Sequence, residues 1–416
     1  MNLSMLKPRN AERKFWLLVL AIYGIPNLLM YLSTLDAPVF NVDTKPIWSR
    51  LNFSTSLICI TLVFLSLLFV FLCARLGSRF FPVEQPRLPP KIMGVLVFLI
   101  QLNGLLVVLL LDFGRVGGTS TSTSALALFV SYLSPDAVFL LFYGHSRNRK
   151  VPYLNLALFI ASNLLRGWGG VWSMLFMIEF YYAAQRLSNK KMWVASLMLI
   201  TTALLVLPFL IEARDKARGT QALEEMTYGR AVTTVLERLQ QFTAVELIAQ
   251  EAPVIARAIG QGHILPFYAD NQVAEKLMPH SSKSVSLQKV LSVRYLISSD
   301  EVPRGYSADD FGWYVHTGIA GWLFVLDWRM IPLYLLFVGA LIVFPYWISA
   351  RFIGTRSLLP VLHTVSILYV FHGWFSVQIG FCIALTFYAG VMQFLRPPAR
   401  RYAPAAMVAK SLRARS

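Results

Sequence analysis

The sequence predicts an all-α polytopic membrane protein of about 10 transmembrane helices, range 10–12. Three observations lead there. Hydrophobic residues make up 56% of the 416 and charged residues only 14%, against about 25% charged in a soluble domain. Nearly uncharged runs recur at roughly 20 residues, the length a helix needs to cross a hydrocarbon core. The net charge of +17 is unevenly placed. Glu212 to Asp310 holds 11 basic and 13 acidic residues, which leaves 27 basic against 8 acidic elsewhere. That asymmetry matches a positive-inside bias, not a nucleic-acid footprint. The short alternating strands of a membrane barrel are absent from the pattern.

The first span, Phe15–Ser33, follows a basic stretch and lacks a small-residue cleavage site, so it reads as retained. Span 2 is Ser54–Leu76. Arg79, Arg87 and Lys91 after it place that loop, and the N-terminus, on the cytoplasmic side. Span 3 is Ile92–Leu111, and the Gly/Ser/Thr-rich loop after it suits the outside. Span 4, Ala125–Tyr143, contains Pro135-Asp136, where a kink or break is expected. It returns to the basic run His145–Lys150. Residues 152–185 read as a short helical hairpin, Pro152–Leu165 and Val171–Ala184, with basic residues on both flanks and Arg166 at its tip. Span 7, Met192–Ile211, delivers the chain outside.

Residues 212–330 form a large loop region. Within it Tyr228–Ile248 has helical periodicity, and Arg230 and Arg238, eight residues apart, fall on nearly one face. Asp309–Trp328 reads as an amphipathic or re-entrant segment, its tryptophans suited to an interface. Residues 331–395 hold three further spans, Ile331–Ala350, Leu359–Phe371 and Val377–Leu395. His372-Gly-Trp-Phe375 makes a turn that places His372 at the outer surface. Residues 396–416 are a basic cytoplasmic tail. No internal repeat is visible, which counts against an inverted-repeat transporter.

The chemistry-bearing residues are chiefly arginines. A guanidinium stays charged and binds phosphate through forked hydrogen bonds, so an arginine-rich loop at a membrane surface suits an anionic, phosphorylated substrate. For a single loop arginine the plain alternative is a solvated ion pair. Arg166 is different, because a charge at membrane depth needs a cavity or a partner; its alternative is a structural ion pair. Asp309, Asp310 and His316 cluster before the interface segment, where a carboxylate or imidazole could accept a hydroxyl proton. The alternative is an Asp pair capping a helix. His263 and His280 read as surface residues. Cys59, Cys73 and Cys382 lie in apolar runs with no metal or disulfide spacing. Nucleotide-loop, dinucleotide, zinc-protease and nucleophile-elbow motifs are missing, so no metal and no cofactor is expected.

In layout the chain resembles the Wzy-type polymerases of bacterial O-antigen and related polysaccharides, and their sister O-antigen ligases. Three stretches carry the resemblance: the hairpin turn Asn163-Leu-Leu-Arg-Gly-Trp-Gly-Gly170, the arginine-bearing loop helix from Glu237 to Ile248, and Asp309–Gly321 with its Gly-x-x-Gly ending. It covers most of the chain by layout and few positions by identity. Leu165 stands where the family's arginine usually follows a small residue, and near the place of the ligases' more typical His-Asn or His-Ser stretch only His316 stands.

The resemblance implies a GT-C-like helical fold in the bacterial inner membrane, with both termini cytoplasmic, a large periplasmic loop before the last three spans and a periplasmic active face. It implies glycosyl transfer from one undecaprenyl-diphosphate-linked glycan to another, without nucleotide and with inversion. In that reading Arg166, Arg230, Arg238, Arg294 and Arg304 hold the diphosphate, and Asp309, Asp310 or His316 is the base. Membrane lipids and a chain-length regulator protein are the expected partners. A ligase acting on lipid A core, a lipid-linked oligosaccharide flippase and a non-catalytic assembly protein are the alternatives.

Overall fold

The structure is a computed structural model. It describes residues 8–37, 39–42, 45–49, 51–81, 89–111, 130, 133–146, 153–217, 227–268, 286–288, 290–291 and 317–395. Among these, 14 α-helices and one two-stranded hairpin occur. Five helices are long and apolar enough to cross a membrane: Asn10–Asp36, Phe53–Ser78, Lys91–Leu111, Ile331–Ile353 and Phe375–Phe394. They coincide with five of the expected spans. The protein is a multi-pass helical membrane protein.

The first span is interrupted. Helix α1 (Pro8–Val19) passes through a π turn (Leu20–Gly24) into α2 (Ile25–Asp36). Pro26 explains the site of the change, since it has no N–H to give and its ring crowds the preceding turn. A small antiparallel hairpin follows, β1 (Val39–Val42) with β2 (Lys45–Trp48), pairing Val39 with Trp48 and Val42 with Lys45. The hairpin was not anticipated from hydropathy, because four-residue strands give too short a pattern.

Helix α3 (Phe53–Ser78) is capped by Asn52, whose side chain accepts from the Thr55 N–H at 2.9 Å. It is apolar all round, and its exposed side is leucine-rich, including Leu65, Leu68, Leu72 and Leu76. That is the surface of a helix that meets lipid. Helix α4 (Lys91–Leu111) is similar.

Helix α5 (Pro135–His145) is the centre of the bundle: all eleven residues are buried. It packs on α4, on α13 (Leu359–Val365) and on α14 (Phe375–Phe394). Small residues permit this. A Cβ added at Gly104 would lie 2.7 Å from Pro135 Cγ, and one at Gly144 would lie 2.8 Å from Val361. Close helix approach of this kind is how helices associate in lipid. Pro135 does not kink a longer described helix. It starts α5, one residue after Ser134, whose Oγ accepts from the Ala137 N–H at 3.4 Å; a first-turn proline loses no helical bond. The first half of the expected fourth span lies outside the described residues.

The hairpin comprises α6 (Tyr153–Leu165) and α7 (Gly170–Arg186). Helix α8 (Asn189–Ala217) follows. The expected continuous helix 228–248 is two helices, α9 (Tyr228–Leu239) and α10 (Phe242–Gly260), joined through Gln240 and Gln241. Helix α11 (Gly318–Val325) packs against α10 and α3, with Trp322 only 1% exposed. The later part of the expected amphipathic or re-entrant segment is thus a helix packed inside the bundle at Trp322, while Trp328 beyond it is exposed. Helix α12 (Ile331–Ile348), a π turn (Ser349–Ile353), α13, a second buried π turn (Ser366–Phe371) and α14 complete the bundle. We call the end where α10 and α11 dock the loop end.

Candidate functional site

The hairpin turn is built by the end of α6. The backbone N–H of Arg166 bonds to Ser162 O at 3.1 Å, and that of Trp168 to Asn163 O at 3.0 Å. Gly167, with φ at +70°, takes the left-handed conformation that closes the helix. This fixes where the Arg166 side chain starts. Its Nη2 donates to Asn163 Oδ1 at 2.7 Å and also pairs with Asp136 Oδ2. Asn163, fully buried, donates from Nδ2 to Asp136 Oδ1 at 3.1 Å and to Phe159 O at 2.8 Å. Three side chains from two elements thus close a ring of hydrogen bonds.

Asp136 sits in the first turn of α5, where the backbone dipoles favour negative charge. Arg166 favours it too. The place Asp136 occupies is therefore an anion site by two independent effects. It is not sealed: the Arg166 and Asp136 side chains are 20% and 13% exposed. Arg166 Nε has no hydrogen-bond partner. Tyr369, in the second π turn, stands near enough to interact electrostatically with both charges.

The other arginines lie elsewhere. Arg230 is exposed in the first turn of α9, its N–H bonded to the capping Thr227 Oγ1 at 3.3 Å. Arg238 is half-buried in the last turn. Helix α9 packs on α8 and α2. Neither arginine bonds to Arg166, Asp136 or Asn163. Arg294, Arg304, Asp309, Asp310 and His316 lie outside the described residues; His316 immediately precedes Thr317.

A second polar cluster at the loop end joins Asn27 of α2, Gln240 and Gln241, Thr317, and the His372–Gly373 turn. Asn27 Oδ1 accepts from the N–H groups of Gln241 and Phe242, at 2.7 and 2.9 Å. That bond explains the break between α9 and α10. A side chain from the first span caps α10 from outside, while Gln240 Oε1 accepts from Thr243 N at 2.9 Å. Gln241 Nε2 donates to Gln240 O at 3.2 Å and lies 2.6 Å from His372 Nδ1. Gln288 Nε2 donates to Gly373 O at 2.9 Å. His372 is 4% exposed, covered by Tyr23, Phe371 and Trp374. The expected surface position is thus wrong: the loop helix covers the turn. The sequence signal for this cluster was the Gln-Gln pair interrupting a helical period, together with a histidine beside a glycine.

The two clusters are linked. Tyr369 beside Arg166 neighbours Trp374, with ring centroids 6.2 Å apart, and Trp374 neighbours His372 at 5.8 Å. A third buried polar group is Glu246 of α10, fully buried, with Oε1 accepting from Ser56 Oγ at 2.7 Å and Ser49 Oγ at 3.0 Å. Burial raises its carboxyl above the ordinary carboxylate value, and the two serine hydrogen bonds oppose that shift. Among the described residues no three His, Cys, Asp or Glu side chains gather as a metal site. Comparison with protein-family models, with curated proteins and with solved structures finds no match to this chain.

Proposed function

We propose that this chain polymerises undecaprenyl-diphosphate-linked oligosaccharide repeat units at the periplasmic face of the bacterial inner membrane. The growing glycan passes from its lipid diphosphate to the terminal sugar of a new lipid-linked repeat. The observation that supports this reading is the Arg166 cluster. A partly exposed guanidinium sits at a hairpin tip within a membrane bundle, beside the N-terminus of a buried helix.

The chemistry asks for such a group. The bond between the sugar's anomeric carbon and the diphosphate oxygen breaks, and its electron pair leaves on the diphosphate. The acceptor hydroxyl oxygen bonds to the same carbon from the opposite face, inverting it, and loses its proton to a base. Negative charge on the leaving diphosphate grows in the transition state, so a fixed guanidinium lowers the barrier. Arg230, Arg238, Arg294 and Arg304 are further candidates to hold the diphosphate. Asp309, Asp310 or His316 is the candidate base, in the sequence that precedes Thr317.

The test uses a strain lacking this gene, complemented with Arg166→Ala or Arg166→Lys at matched membrane levels, with surface glycan resolved by length. A single capped repeat without a ladder supports polymerase. Long glycan retained on the lipid carrier identifies a ligase instead. An unchanged ladder sinks the assignment of Arg166.

A further inference from the structure

We infer that Asp136 guards the Arg166 site against weakly bound phospholipid, occupying it until a polyanionic headgroup displaces the carboxylate. This rests on the reading of Arg166 as the diphosphate-binding group. Asp136 lies where both α5 and Arg166 favour negative charge, and Asn163 bonds to each partner. It is the chain's own anion in a site fit for another.

The consequence follows from competition. Any anion that uses Arg166 must take the guanidinium from Asp136, or lie beside an uncompensated carboxylate. Either route lowers every affinity by a similar factor. A membrane surface supplies monoanionic phospholipids in great excess over any lipid diphosphate. Without Asp136, those phospholipids would fill the site by mass action. With it, their weak affinity falls below what their abundance can offset. A diphosphate carries more charge and more acceptor oxygens for a forked guanidinium, so it still binds. Arg166 Nε, buried and without a partner, gives that second headgroup an unused donor. Asn163 holds the ring together and positions both side chains.

The test uses the full-length protein in lipid nanodiscs, with farnesyl diphosphate as the probe. One set contains phosphatidylcholine alone and the other adds about 30 mol% phosphatidylglycerol, a monoanionic lipid. Wild-type affinity should change less than about twofold between the sets. Asp136→Asn should bind the probe about tenfold tighter in phosphatidylcholine and lose most of that gain when phosphatidylglycerol is added. Asn163→Ala, which loosens the ring without removing either charge, should tighten binding by a smaller factor; it carries the test if Asp136→Asn fails to fold. Arg166→Ala should abolish binding in both sets.

Two failures are distinguishable. Binding that is absent, or indifferent to Arg166→Ala, overturns the diphosphate reading and this inference with it. Arg166-dependent binding that Asp136→Asn and Asn163→Ala leave no tighter overturns the role of Asp136 alone. So does Asp136→Asn binding that is tighter yet insensitive to phosphatidylglycerol.

Discussion

The hairpin tip and the loop-end cluster treat polar groups in opposite ways. At the tip, Arg166 and Asp136 are ionic and partly exposed. At the loop end, Asn27, Gln241 and Thr317 are neutral and at most 2% exposed. An ion pair in a membrane bundle gains from charge attraction and loses through desolvation, and the two nearly cancel. Such a pair contributes little to holding a fold and is free to exchange partners. Buried amides that satisfy helix N–H groups are different: breaking them leaves donors bare, at about 1–3 kcal/mol each. The first region is suited to binding, the second to docking the loop helices on the spans.

Five substitutions break or sharpen that contrast, taken in decreasing order of expected effect. Arg166→Ala should reduce polymer formation about 100-fold or more, read from the glycan ladder. Pairing it with Asp136→Asn, which removes the stranded carboxylate, should restore thermal stability but not activity. Gly373→Ala should cost about 1–3 kcal/mol in unfolding measurements. The residue stands at φ +78°, and a Cβ would meet Gly318 N at 2.9 Å. Asn27→Ala should cost about 1–2 kcal/mol, as losing a helix cap does, and should speed proteolysis between residues 227 and 260. Its binding of an anionic lipid should match wild type; an equal loss there would dissolve the distinction between the regions.

The smallest effect concerns pH. Burial raises the Glu246 carboxyl in the folded state above 4.5. Its contribution to stability is complete below 4.5 and lost as pH rises through the raised folded value. Glu246→Gln should therefore flatten the dependence of the unfolding midpoint on pH, with its largest gain over wild type on the alkaline side. A wild-type midpoint that does not fall with rising pH would contradict this.

The spans were the most legible part of the fold, because twenty apolar residues have few soluble explanations. Phe53–Ser78 and Lys91–Leu111 differ from expectation by only a residue or two at each end. Arg166 was legible for the same reason: a charge between two short apolar helices must face something. What it faces was not. Asp136 lies 30 positions earlier, beside a proline that suggested a kink. Sequence periodicity reports which face a residue takes, not what meets it across the bundle. Gln240–Gln241 shows the same limit, since the helix breaks there on account of a side chain 214 residues away. His372 looked exposed because a turn between spans ordinarily is, and nothing local records that a loop helix lies over it.

Asn27 has a further consequence, for the order of assembly. In the folded bundle its Nδ2 donates to Tyr23 O at 2.6 Å, a bond only four residues away that needs no other span. Its acceptor oxygen stays unused until residues 241 and 242 have been made. Every span before the loop must therefore be threaded while the first remains chemically unfinished. A contact so distant along the chain closes late. The bundle is thus locked from its last-made half back to its first.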